Sequence, residues 1–179
     1  MRARGMIPSR GGAWSALASA AILAVAFPPF KLLLPAFLCL IPIAVFVARL
    51  ADDDGGAAEA ARVGFWFGFL GYGANLYWIA VALLLYTKLA LLGYVASLIW
   101  LAPVVALTML ALYFARKVSG WPLAILLPIV WTASELVFNY LNDLSFPWLP
   151  LGLAVAHVPL LAQVADISGV RGVSFCIAA

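Results

Sequence analysis

The chain has 179 residues, of which 67% are hydrophobic and 9% are charged, and its mean hydropathy is +1.14. Soluble domains are about half apolar and about a quarter charged, so this composition excludes an ordinary soluble domain and predicts a membrane protein. The formal net charge of +3 comes from scattered basic residues, which does not favour nucleic-acid binding.

Six apolar segments follow one another along the chain. They are Trp14–Phe27, Leu32–Ala48, Val63–Tyr86, Leu89–Ala115, Trp121–Tyr140 and a weaker one that starts near Val173. A helix that crosses the hydrocarbon core needs about 20 apolar residues, and the third, fourth and fifth segments reach that length. The first two are shorter and are separated only by Pro28-Pro29, which predicts a helical hairpin that turns at the outer surface.

These segments predict an all-α membrane protein, an antiparallel transmembrane helix bundle with five spans and a truncated sixth, because the short polar loops favour antiparallel neighbours. We expect residues 1–179 to form a single transmembrane domain that stops before any catalytic domain. The part from about 142 to 172 is rich in prolines and glycines, which predicts an interfacial or re-entrant segment on the outer face.

The distribution of basic residues predicts a cytoplasmic N-terminus, since Lys and Arg are enriched on the cytoplasmic side of membrane proteins. Seven of the ten lie before the first segment or on the loops that would share its end: Arg2, Arg4, Arg10, Arg49, Arg62, Arg116 and Lys117. Lys31, Lys88 and Arg171 would lie on the other side.

The third segment carries a stripe of small and polar residues. Gly64, Gly68, Gly71, Asn75 and Trp78 recur at spacings of four and three, which places them on one helix face. For the glycines, the simplest interpretation is close helix packing. Asn75 and Trp78 continue this face toward the outer side, where they suit a lipid headgroup or a substrate groove. Trp78 fits an interfacial anchor equally well.

The fifth segment carries a matching stripe of Trp131, Glu135, Phe138 and Asn142. An ionisable residue in a span usually faces the bundle interior or a wet cavity. Two interpretations of Glu135 stay open: a functional carboxylate, or a structural group hydrogen-bonded to Asn75 or a tyrosine. General acid–base catalysis needs a second group within hydrogen-bonding reach, and none can be assigned.

The remaining candidate side chains do not assemble into a catalytic set. Cys39 and Cys176 lie in apolar segments and are predicted to be small buried hydrophobic residues. The only histidine, His157, is expected to be interfacial. We therefore predict no catalytic residue, no metal site and no cofactor within this sequence.

Three blocks of sequence carry a family resemblance. They are AFPPFKLLLPAFLCLIPI, GFWFGFLGYGANLYWI and LLPIVWTASELVFNYLNDLSFPWLPLG. In this order they resemble the N-terminal membrane region of bacterial apolipoprotein N-acyltransferases, from about Leu23 to Phe175. The last block is the most specific, with its Pro-x-x-Trp-x-x-x-Glu helix, its Phe-Pro-Trp-Leu sequence and the Gly-Val-x-Gly-Val-Ser-Phe that follows.

The resemblance implies a multi-pass protein of the bacterial inner membrane with a nitrilase-like domain on its periplasmic side. In that family a Glu-Lys-Cys triad takes an acyl chain from a phospholipid as a thioester. The acyl chain then passes to the α-amino group of the diacylglyceryl-cysteine that begins a lipoprotein. Phospholipid and lipoprotein are the implied partners, and no residue of this chain matches the triad.

The resemblance also implies a place for the singled-out residues, at an outer mouth where lipid substrates enter. The candidates for this mouth are Asn75, Trp78, Trp131, Glu135, Phe146 and Trp148. We expect this chain alone to be inactive. The alternative is a small non-catalytic membrane protein that binds lipid or a partner protein through the same groove. A transporter fragment would require two related halves with broken helices, and no such repeat is evident.

Overall fold

The computed structural model describes residues 5–53, 56–139 and 149–179, except for the side chains of residues 138 and 139. Within these ranges the chain is helical and forms no strand. The described part contains eight α-helices: α1 (Arg10–Ala26), α2 (Leu33–Leu38), α3 (Ile41–Asp52), α4 (Ala57–Leu84), α5 (Ala90–Ser119), α6 (Leu123–Asn139), α7 (Pro159–Ala162) and α8 (Ala165–Ala178). A 3-10 helix, Leu151–Val155, lies between α6 and α7.

The composition of these helices is that of a membrane bundle. In the described part of the chain, three stretches are long and apolar enough to cross a bilayer: Leu33–Asp52, which joins α2 and α3, Ala57–Leu84 and Ala90–Ser119. The apolar helices α1 and α6 are shorter. Large apolar side chains such as Leu34 and Leu107 are mostly exposed on the outside of the bundle, as expected where the surrounding solvent is lipid. The predicted all-α membrane bundle is confirmed, whereas the five spans and the truncated sixth stay a prediction.

The predicted hairpin of the first two segments is confirmed. Helix α1 ends at Ala26, the chain turns through Pro28-Pro29, and α2 begins at Leu33. The second segment differs from the prediction, because it divides into α2 and α3 instead of forming one helix. Pro42 explains the division, since proline lacks a backbone N–H and is favoured in the first turn, where it begins a new helix.

The glycine stripe packs α4 closely against α5 and α1. A Cβ atom at Gly64 would lie 2.8 Å from the backbone oxygen of Val105, and one at Gly68 would lie 2.9 Å from the Val105 Cβ. A Cβ at Gly71 would lie 3.1 Å from Leu23 of α1. The packing interpretation of these glycines is therefore confirmed.

One end of the bundle is held together by charged side chains. The Glu59 carboxylate accepts a hydrogen bond of 2.6 Å from the backbone N–H of Ser9 and forms an ion pair with Arg62. The Arg116 guanidinium lies 2.8 Å from an Asp52 carboxylate oxygen and also donates to a backbone carbonyl just before α6. The N-terminal ends of α1, α4 and α6 therefore lie at the same end of the bundle as the C-terminal ends of α3 and α5, as the predicted topology requires.

Helices α1 and α4 run side by side in the same direction but differ in length. Gly12 of α1 faces Val63 of α4, and Leu23 faces Gly71, so the end of α1 lies level with about Asn75. Helix α1 has 17 residues and α4 has 28. The rest of α4 and the start of α5 therefore project beyond the C-terminal end of α1.

The last described segment is built from short helical pieces. The 3-10 helix and α7 are followed by α8, whose backbone is interrupted at Gly169 with a φ of 69°. A positive φ of this size is readily adopted by glycine. The predicted sixth segment near Val173 falls in the continuous half of α8, after this interruption. The broken character of the segment agrees with expectation, and its interfacial position stays a prediction.

Candidate functional site

Glu135 lies near the C-terminal end of α6, and one of its carboxylate oxygens accepts hydrogen bonds from two neighbours. Its Oε1 accepts a hydrogen bond of 3.0 Å from the indole N–H of Trp131, one turn earlier in the helix. The same oxygen accepts a hydrogen bond of 2.7 Å from the backbone N–H of Leu151. The carboxylate therefore caps the start of the 3-10 helix, a position where a negative charge is favourable.

A second side chain holds the next backbone N–H of the same helix. The Ser174 hydroxyl of α8 accepts a hydrogen bond of 2.8 Å from Gly152. Gly152 is required here, because a Cβ atom would lie 2.3 Å from the backbone oxygen of Val170. The 3-10 helix is thus fastened to α6 by Glu135 and to α8 by Ser174.

A small cavity lies beside these contacts, between the helices and the segment that begins at Leu149. It has about 10 Å³ of free volume, which is roughly the space of one water. Its lining is mostly apolar, with a few polar side chains: Leu23, Phe27, Phe67, Gly68, Tyr72, Asn75, Val105, Trp131, Leu149 and Leu151.

The structure brings together three of the six predicted mouth residues. Asn75 and Trp131 line the same cavity, and Glu135 bonds to Trp131 beside it. The expected hydrogen bond from Glu135 to Asn75 is not formed. The Asn75 side-chain N–H donates instead to the Gly71 carbonyl at 2.8 Å, one turn back in α4. A tyrosine does lie near the carboxylate, since Tyr72 lines the cavity and interacts electrostatically with Glu135.

Trp78 lies apart from this cluster. Its side chain is 46% exposed on the part of α4 that projects beyond α1, whereas Asn75 is 5% exposed. The predicted stripe therefore faces the bundle interior as far as Asn75, whereas Trp78 is on the exposed surface of α4. Phe146 and Trp148 lie outside the described residues, as do Asn142 and the side chain of Phe138.

The two cysteines have different surroundings. Cys39 is buried as predicted, and its thiol donates to the Ala36 carbonyl at 3.2 Å. The prediction for Cys176 is wrong, because it is exposed. An apolar residue in a membrane helix can face lipid as well as the core, so the apolar segment around Cys176 did not fix which way it points. The described ranges contain no group of three His, Cys, Asp or Glu residues that could hold a metal ion.

Comparison with known proteins identifies the family. A family model described as the apolipoprotein N-acyltransferase N-terminal domain matches residues 19–179. The chain belongs to this family. The apolipoprotein N-acyltransferase of Geobacter metallireducens is 32% identical over 166 residues, covering 91% of this chain and 31% of that protein. Those of Rhodopseudomonas palustris and Brucella suis are 32% and 29% identical, over 89% and 90% of this chain.

The chain spans about a third of the length of these N-acyltransferases. The match covers their N-terminal domain, in agreement with the resemblance that the sequence blocks indicated.

Sequence reasoning placed Trp131 beside Glu135 but missed the contacts of the 3-10 helix with α6 and α8. Leu151 contributes only a backbone N–H, which no side-chain pattern reveals. Gly152 and Ser174 do carry a signal, because each lies in a block that contributed to the resemblance. A glycine two residues after Pro150 and a serine inside an apolar helix are both compatible with a close backbone approach.

Proposed function

We propose that this chain is the membrane part of an apolipoprotein N-acyltransferase. Such an enzyme transfers an acyl chain from a phospholipid to the α-amino group of the diacylglyceryl-cysteine at the start of a lipoprotein. The observation that carries the proposal is the match of residues 19–179 to the N-terminal domain of that family. Phospholipid and lipoprotein are the proposed substrates, and the bacterial inner membrane is the proposed location.

The proposed topology is multi-pass, with five spans, a truncated sixth and a cytoplasmic N-terminus. Shared charged contacts at one end of the bundle support it, because Glu59 and Arg116 tie together helix ends that the topology places on the cytoplasmic side. The Glu135 cluster then lies at the outer end, where substrates of a periplasmic reaction would arrive.

Glu135 serves in this proposal as a positioning residue for the outer mouth. It holds Leu151 and Trp131, so it sets where the chain returns after the Phe146–Trp148 sequence. In this proposal Asn75 and Trp131 support the base of the mouth from the one-water cavity that they line, and the exposed Trp78 belongs to its rim. The aromatic and proline residues at 146–148 would line the side that meets lipid.

The chemistry that the family resemblance implies needs a thiolate. Its sulfur attacks the ester carbonyl of a phospholipid and forms a thioester, releasing a lysophospholipid. The lipoprotein amine then attacks the thioester, giving an amide and restoring the thiol. Cys39 is buried with its thiol donating to a backbone carbonyl, Cys176 is exposed on α8, and neither cysteine matches the nucleophile of the family. We therefore propose that these 179 residues alone have no acyltransferase activity.

A chimera tests the proposal. The aligned N-terminal region of the Geobacter metallireducens relative is replaced by this chain, and the chimera is incubated in membranes with phospholipid and a diacylated lipopeptide. Mass spectrometry measures the triacylated product and the thioester separately. We expect the product from the chimera, and none above empty membranes from the 179-residue chain.

Two results would contradict the proposal. Product formed by the chain alone would show that the catalytic group lies within it. A folded chimera that formed neither thioester nor product would favour the non-catalytic lipid- or partner-binding protein instead.

A further inference from the structure

Two buried oxygen atoms beside the cavity lack a hydrogen-bond partner among the described residues. They are Asn75 Oδ1 and Glu135 Oε2. The other polar atoms of these side chains are engaged, because Asn75 Nδ2 donates to Gly71 and Glu135 Oε1 accepts from Trp131 and Leu151. A buried acceptor without a partner is costly, so native structures rarely leave one empty.

Asn75 is a lining residue of the cavity, and Glu135 is hydrogen-bonded to two further lining residues, Trp131 and Leu151. Asn75 is 5% exposed. Tyr72 completes the polar part of the lining and interacts electrostatically with the same carboxylate.

The hydrogen-bonding properties of the two oxygens restrict which ligand can bind between them. Both unpartnered atoms are acceptors, so the ligand has to donate hydrogen bonds. The indole of Trp131 and the backbone N–H of Leu151 cannot serve, because both already donate to Oε1. The hydroxyl of Ser174, which also neighbours this carboxylate, donates to the Val170 carbonyl at 3.3 Å. A divalent cation is disfavoured, because calcium and magnesium need six or more ligands and two protein oxygens are too few.

The volume of the cavity further restricts which ligand can bind. About 10 Å³ of free volume accepts one water, and it is far below the roughly 300 Å³ at which small-molecule pockets begin. A lipid headgroup is therefore too large. Water has two donor hydrogens, one for each unpartnered oxygen.

We infer that the cavity is a binding site for a single buried water that bridges Asn75 Oδ1 of α4 and Glu135 Oε2 of α6. This water replaces the direct hydrogen bond between the two side chains that the sequence suggested. It couples the glycine-packed helix α4 to the carboxylate that holds the 3-10 helix. The inference rests on the cavity and its oxygens and does not depend on acyltransferase activity.

The test is water–protein cross-relaxation in the full chain, labelled with ¹⁵N at Trp and Asn and reconstituted in lipid nanodiscs. A resident water gives rotating-frame cross-peaks to the Trp131 indole N–H and to the Asn75 side-chain N–H. Their sign separates direct contact from proton exchange. Asn75→Leu removes one acceptor and fills the cavity, so the Trp131 cross-peak should be lost.

Thr132→Val is the matched control. Thr132 lies on the same helix as Glu135, and its buried hydroxyl also lacks a partner among the described residues, but it does not line the cavity. The Trp131 cross-peak should be unchanged in this variant. Asn75→Ser keeps an acceptor oxygen and should retain the cross-peak.

Absence of both cross-peaks from the unchanged chain would overturn the inference. A Trp131 cross-peak that persists undiminished in Asn75→Leu would overturn it as well, because the water would then not be held by Asn75. The unchanged chain is the first measurement, so the result remains decisive even if Asn75→Leu does not fold.

Discussion

Glu135 accepts a 2.7 Å hydrogen bond from the backbone N–H of Leu151, sixteen residues further along the chain. The contact joins the C-terminal end of α6 to the first turn of the 3-10 helix, and the Ser174 hydroxyl accepts a similar hydrogen bond from the neighbouring N–H of Gly152. Two side chains on two helices therefore define where the chain re-enters the bundle.

Glu135→Ala should lower the thermal stability of the chain in detergent. The change leaves the N–H groups of Trp131 and Leu151 without their acceptor, which costs about 1–3 kcal/mol for a buried group. Glu135→Gln keeps an oxygen acceptor, so its melting temperature should fall clearly less than that of Glu135→Ala. Circular dichroism melts of the two variants measure the difference. Equal melting temperatures for Ala and Gln would show that the hydrogen bonds to Glu135 do not stabilise the fold.

Gly64→Ala should be destabilising although alanine is the better helix former. The added Cβ would lie 2.8 Å from the backbone oxygen of Val105, so α4 and α5 would have to separate, at about 1–3 kcal/mol. Gly93→Ala is the matched control in α5, because nothing lies within 4 Å of its Cβ. The free energy of unfolding of this control should rise by roughly 0.5–1 kcal/mol, because alanine has the higher helix propensity. Melting temperatures that rise for both variants would contradict the close packing of α4 against α5.

Glu59→Ala should release the segment before α1. The carboxylate accepts from the backbone N–H of Ser9 at 2.6 Å, so its removal should speed hydrogen exchange at that amide. Asp52→Ala is the control, because Asp52 lies at the same end but pairs with Arg116. Exchange at Ser9 should be unchanged in the control. If hydrogen exchange at Ser9 were accelerated equally in both variants, the segment would respond to any loss of negative charge at this end of the bundle, and not to the loss of the Glu59 hydrogen bond.

Cysteine labelling should confirm a cytoplasmic N-terminus. Cys39 and Cys176 are first replaced, and single cysteines are then placed at Ser145 or at Gly56. An impermeant reagent added from the periplasmic side should label the cysteine at 145 and miss the one at 56. The opposite pattern would invert the predicted topology.

Trp148→Ala should weaken lipid retention by the chimera more than it lowers stability, because an indole ring favours the membrane interface. Co-purified phospholipid per protein measures retention. Trp14→Ala is the control, since Trp14 is an exposed indole near the start of α1 and is not one of the proposed mouth residues. Equal loss of lipid in both variants would remove the special role proposed for Trp148.

Much of the fold could be predicted from the sequence, because long apolar segments and proline breaks act locally. Helices α4 and α5 begin and end within a few residues of the predicted limits or extend them by about one or two turns. The glycine stripe also predicted correctly which face of α4 meets its neighbours. Division of the second segment at Pro42 was missed, because a proline in the first turn resembles one within a continuous helix.

The candidate site could be predicted only in part. Spacings of three and four place Glu135 beside Trp131, and the structure confirms their contact. Leu151 was beyond prediction, because a backbone donor sixteen residues away leaves no periodic pattern. The exposure of Cys176 was missed for a different reason, since lipid and protein core are both apolar and sequence alone does not distinguish them.

The unequal lengths of α1 and α4 have a consequence for the bilayer around the protein. Residues 76–84 extend about 13 Å past the end of α1, at a rise of about 1.5 Å per residue. The turn beyond them carries Leu85, Tyr86 and Leu89, all strongly exposed. If the hydrocarbon thickness of the membrane matches the length of α1, these apolar residues lie above the hydrocarbon. If the membrane covers them, it must thicken locally or α4 and α5 must tilt. At this end the bundle is therefore taller along α4 and α5 than along α1, and we expect lipids beside α4 and α5 to pack differently from those beside α1.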